Sequence, residues 1–159
     1  MSLEQLKLIR QQRAKRVYIE VQRAREIYEQ AIRDLQDARN EVENYKIWRI
    51  RQQKVLFEKL QEGEFTADKL GSYNTTVERM KEQEQRLTAT LPEYEEKYKQ
   101  AQEVLELSRE QLKNVNKDKE KVDEFIDMQA KEEKVIQERK EENEVDELSC
   151  FKSSQQAAG

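Results

Sequence analysis

The amino-acid sequence predicts an all-α fold, a long two-helix antiparallel coiled-coil hairpin, from three observations. Apolar residues recur in alternating steps of three and four along two long stretches, one interruption separates those stretches, and the composition is too polar for a wide core. Of 159 residues, 35% are hydrophobic and 40% charged, and three Gly and one Pro leave room for few turns.

The first helix is expected over about residues 3–62. Its seam runs Leu3, Lys7, Arg10, Ala14, Val17, Val21, Ala24, Tyr28, Ala31, Leu35, Ala38, Val42 and Tyr45. After Tyr45 the apolar pattern loses phase, because the next strongly apolar residues are Ile47, Trp48, Val55, Leu56 and Phe57. A shifted seam or a broader contact fits there. Residues 63–66 form the turn. Gly63 suits the left-handed conformation past a helix end, Thr66 suits the N-cap of the next helix, and Phe65 is placed to staple onto Leu70. So short a connection makes the two helices antiparallel neighbours.

The second helix is expected over about residues 67–140. Its seam from Leu70 to Ile126 has seventeen positions, of which only Glu84, Ser108 and Lys119 are not apolar. A stripe that narrow serves one partner helix and leaves the rest of the surface to water. Pro92 lies inside it, and because Leu91 and Tyr94 keep phase with both sides, a kink is expected rather than a break, although Thr90 and Glu93 have the spacing of a capping box. A turn between Glu64 and Phe65 makes facing residue numbers sum to 129, which sets Leu35 against Tyr94, Val42 against Leu87, Ala24 against Leu105 and Leu3 against Ile126. Beyond Ile126 the seam fades to Gln129, Glu133, Ile136 and Lys140. Residues 1–147 thus read as a single hairpin, a rod with helices of about 90 and 120 Å at 1.5 Å per residue, and 148–159 as a flexible C-terminal tail.

Composition also narrows function. With no His and a single Cys150, the commonest general base and metal ligand is missing, as are clustered thiolates and intrachain disulfides. No glycine-rich phosphate loop is present, and adjacent acids such as Glu132 and Glu133 read as a solvated face. The chain is therefore expected not to be an enzyme and to need no cofactor or metal. Net charge is −4, which argues against nucleic acid as a partner, and no apolar run is long enough to insert in a membrane, so a cytoplasmic setting is expected. Charge is uneven: residues 1–60 carry fourteen bases and nine acids, residues 61–159 sixteen bases and twenty-five acids. The basic first arm would lie beside acidic residues of about 103–127, which favours the antiparallel fold.

What remains is binding through surfaces. Tyr45, Trp48, Phe57 and Phe65 gather in the turn-proximal third, and Trp48 and Phe57 cannot both lie on a two-helix seam. Aromatic residues beside Arg49 and Arg51 are typical interface anchors, with a widened core near the turn as the alternative.

The stretch Tyr45-Lys46-Ile47-Trp48-Arg49-Ile50-Arg51-Gln52-Gln53-Lys54-Val55-Leu56-Phe57 resembles the Y-x-x-W-R…L-F segment of the YscO family of type III secretion proteins. Chain length, the arginine-rich first helix, the turn after about 60 residues and the acidic C-terminal region extend the likeness over roughly residues 5–147. The resemblance implies an antiparallel coiled coil similar to the central stalk of rotary ATP synthases, as in the flagellar counterpart FliJ. It implies partners too: the hexameric secretion ATPase, the export gate protein and export chaperones, reached from the cytoplasmic side of the inner-membrane machinery. Tyr45, Trp48, Arg49, Leu56 and Phe57 would mark the family feature, while the end carrying both termini would enter the ATPase ring. Arg10, Arg13, Arg16 and Arg23 are the expected ring contacts, given the basic excess there. An escort or adaptor for export chaperones is the alternative role. A generic scaffold, built as a parallel dimer across a straightened turn, is another, against an expected monomer when free.

Overall fold

The computed structural model describes residues 2–158 and contains two helices packed against each other, α1 (Leu3–Gln61) and α2 (Ala67–Ala158). Among the described residues there is no strand. Each helix begins on a side-chain cap. At α1, Ser2 Oγ accepts the Gln5 N–H at 3.1 Å and Gln5 Oε1 accepts the Ser2 N–H at 3.1 Å, a reciprocal box spelled Ser-x-x-Gln in the sequence. At α2, Thr66 Oγ1 accepts the Lys69 N–H at 3.3 Å.

Between them, Gly63 takes φ +75°, a conformation that strains any residue with a Cβ. Lys69 Nζ donates to the Glu64 carbonyl at 2.9 Å, and Phe65 and Leu70 both remain exposed. These polar contacts help to close the turn. α2 runs unbroken through Pro92, so the capping-box alternative does not arise; the Thr90 hydroxyl instead donates back to the Leu87 carbonyl at 2.6 Å. α2 also continues to Ala158, beyond the helix end expected near 140 and through the stretch expected to be a flexible tail. No Gly, Pro or other breaker falls in residues 127–158, and Glu, Lys, Gln and Arg there are good helix formers.

The helices divide into two compact units, one comprising the chain up to Tyr18 and from Glu110 onward, the other Ile19–Arg109. In the first, Ala14, Val17 and Val115 form a buried cluster with Leu112 packed against it, and Val122 is buried further along. The pairs Ala14 with Val115 and Val17 with Leu112 each sum to 129, the register expected from the turn. Lys7 reaches Asp123 at 3.8 Å and Arg10 reaches Asp118 at 3.6 Å, ion pairs between the basic arm and its acidic neighbour. From Asp127 to Gln155 every side chain is exposed.

In the second unit Val21, Ala24, Leu35, Ala38, Leu60, Val77, Met80, Ala101 and Leu105 are buried, and Tyr28 stacks on Tyr98 with ring centroids 5.6 Å apart. No described side chain in either unit is wholly shut from water, as expected where each helix has a single neighbour. Leu105, only 3% exposed, has no third element to collapse onto it. Leu105→Ala should therefore cost about 2–4 kcal/mol in urea unfolding followed by circular dichroism, and a loss below about 1 kcal/mol would contradict the packing.

The hydrogen bond between the Tyr28 and Tyr98 hydroxyls, 3.4 Å long, raises the Tyr28 pKa above its usual 10.0, with burial as the next cause. Folding then favours the neutral phenol, so this contribution is complete below the unfolded value and lost as pH rises through the raised one. Unfolding midpoints measured from about pH 9 to 11.5 should fall for the natural chain, and more shallowly for Tyr28→Phe.

Candidate protein-interaction site

Residues Tyr45 to Leu60, in the second unit, make up the candidate surface. The helical spacing keeps one seam running through it at Tyr45, Arg49, Gln52, Leu56 and Leu60, all half-buried or buried. The seam keeps its phase past Tyr45 as far as Leu56, with polar residues in place of apolar ones, and shifts by one residue to Leu60, which is why an apolar pattern alone loses it there. Arg49 occupies one such position, and its Nε pairs with the Glu84 carboxylate, the charged residue in the facing seam. Arg49 Nη1 also donates to Gln53 Oε1 at 3.1 Å. With side chains only 14% and 19% exposed, Arg49 and Glu84 are the most enclosed of the cross-helix ion pairs found among the described residues. Enclosure strengthens their attraction and makes leaving either one alone costly.

Because polar residues fill the seam, large apolar ones stand outside it. Trp48 is 49% exposed and Phe57 47%, and Ile47, Ile50 and Val55 are exposed with them. Tyr45 is half-buried and supports Trp48, ring centroids 5.4 Å apart, while Phe57 meets Tyr73 at 6.1 Å. Leu56 turns inward and lines a cleft of about 370 Å³ with Leu60, Tyr73 and Lys69. Of the five residues expected to mark this surface, Trp48 and Phe57 are therefore outward, Tyr45 is their support, and Arg49 and Leu56 hold the helices together. Ile47, Ile50 and Val55 join the outward set, and their signal in the sequence is that they fall out of step with the seam.

The expected basic cluster is less uniform. Arg10 is taken up by Asp118, Arg13 and Arg16 are exposed in the first unit, and Arg23 is exposed in the second. A further feature, absent from the sequence reading, is a groove of about 430 Å³ on the second unit. Ala24, Ala31 and Ala101 form its apolar floor, and Ile27 and Val104 its walls. Among the described residues no group of three or more His, Cys, Asp or Glu is placed to hold a metal ion, and no helix is long and apolar enough to cross a membrane.

The described surface of this helical hairpin thus presents exposed aromatic, aliphatic and basic side chains outside its seam. The family model of the type III secretion protein YscO matches residues 3–150, nearly the whole chain, and the chain belongs to that family. It is thus a type III secretion protein. No curated protein and no solved structure matches it.

The Arg49–Glu84 pair invites a double-mutant cycle. Arg49→Met alone should lose about 1–3 kcal/mol, Glu84→Leu a similar amount, and the double variant less than their sum. Strictly additive losses would show that the two side chains do not depend on each other.

Proposed function

We propose that this protein is a central-stalk-like component of a type III secretion apparatus, binding the hexameric secretion ATPase and coupling it to the export gate. It would act from the cytoplasm, in peripheral association with the inner-membrane machinery. Family membership and a fold made of two helices that shelter one another support this reading. The observation that carries it is the exposure of Ile47, Trp48, Val55 and Phe57 on a helix that is already satisfied along its seam. An exposed aliphatic and aromatic patch on an otherwise highly charged surface is the composition of a protein interface.

The chain supplies contacts and no bond-making chemistry. A hairpin touching one or a few subunits of a symmetric ring makes those subunits differ from the rest in the nucleotide state they favour, and passes that asymmetry to whatever it touches beyond the ring. Arg13 and Arg16, with Arg10 and Arg23, supply the ring contacts in this reading, because Arg13 and Arg16 are exposed in the first turns of α1, where bases outnumber acids. The Trp48 surface supplies the contact to the gate, or to export chaperones if the protein serves as their adaptor. Those two uses of one surface are the main reading and its alternative.

Charge reversal at Arg13 and Arg16 should weaken binding to the purified ATPase about tenfold or more at low salt, with helicity unchanged. Trp48→Ala should leave ATPase binding intact and lose the gate protein or a chaperone in a pull-down, the lost partner deciding between the two roles. ATPase binding unaffected by the double reversal would remove the ring assignment.

A further inference from the structure

In the stretch of α2 after Ile126, every described side chain, from Asp127 to Gln155, is exposed. A single charged helix of that length gains little stability without packing. Within it Val145, Leu148 and Phe151, 64%, 60% and 60% exposed, follow one another at steps of three and share a face with Glu141 and Glu144. The surroundings are acidic, with six acids from Glu138 to Glu147 against Arg139 and Lys140. This is an acidic amphipathic helix with an exposed apolar face.

The turn-proximal part of α1 has the opposite character. Ile47, Trp48, Arg51 and Val55 lie at helical spacing on one exposed stripe, beside Lys54. No acid occurs between Tyr45 and Phe57. Glu84 neutralises Arg49 but leaves Lys46, Arg51 and Lys54 exposed. One stripe is apolar with bases and the other apolar with acids, and each extends over about two helical turns.

We propose that the C-terminal stretch of α2 in one copy docks on the Trp48 stripe of a second copy. Val145, Leu148 and Phe151 of the first meet Ile47, Trp48 and Val55 of the second, and Glu141 and Glu144 lie against Arg51 and Lys54. Two stripes of two turns bury less than the roughly 1,200 Å² of a stable complex. The contact is weak and reversible, and the hairpin stays monomeric when dilute. It also covers Trp48, so any other partner that uses Trp48 must displace it.

Trp48 is the chain's only tryptophan and reports directly on its own burial. The reporter is a full chain carrying Val145→Asp, Leu148→Asp and Phe151→Asp, which retains Trp48 but has no docking stripe of its own. A full chain with Trp48→Phe and an intact C-terminal stretch is titrated into it. The emission should shift to the blue and saturate, with apparent affinity falling about tenfold between low and moderate salt. The shift should vanish if the reporter also carries Arg51→Glu and Lys54→Glu. No shift, with both chains helical by circular dichroism, overturns the proposal. So does an equal shift from a titrant carrying the three aspartates, which would place any association elsewhere.

Discussion

Each helix has one neighbour, and nearly everything else in the molecule follows from that. With a single narrow seam on each side, stability comes from how closely the two backbones approach and how well opposed side chains share the space between them. The combination of small with larger residues is the solution: Ala14 clusters with Val17 and Val115 in one unit, and Ala24 and Leu105 are both buried in the other. Were both seams built from large residues the helices would be pushed apart, and were both small there would be little apolar area to remove from water. Where alanines cluster, at Ala24, Ala31 and Ala101, the helices instead leave the open groove between Ile27 and Val104.

A seam that consumes so few side chains leaves the remaining surface free for other tasks. A chain with 40% charged residues therefore needs few apolar side chains for its own packing, and its large apolar residues outside the seam are not used by it. Exposed Leu or Ile is ordinary on any protein, but Trp48 and Phe57 beside Ile47, Ile50 and Val55, within eleven residues, make a concentration that packing inside one hairpin does not use.

The fold was legible from residue spacing because a two-helix seam repeats one simple rule, and one turn with Gly63 and Thr66 leaves a single way to double back. The end of α2 was not legible, since loss of the seam after Ile126 marks where packing stops and says nothing of where helical hydrogen bonding stops. Beyond Tyr45 the seam was hidden for a related reason: Arg49 and Gln52 hold seam positions that a search for apolar residues passes over. The site was half legible. Trp48 and Phe57 stand outward as their off-seam spacing implies, whereas Arg49 and Leu56 face the neighbouring helix, and no single sequence distinguishes an arginine that binds a partner from one that binds a facing glutamate. In the basic arm, Arg10 shows the same ambiguity by pairing with Asp118.

The enclosed Arg49–Glu84 pair bears on how such a hairpin responds to force. Apolar layers are interchangeable, and two helices held only by them can slip by seven residues with modest loss. A slip past this point would drive a guanidinium against Val77 or Leu91 and leave a carboxylate facing aliphatic carbon, so the two helices of the hairpin are pinned lengthwise there. Tension or thrust applied to one helix is then handed to the other without sliding, much as a keyed shaft carries load that a smooth one would dissipate.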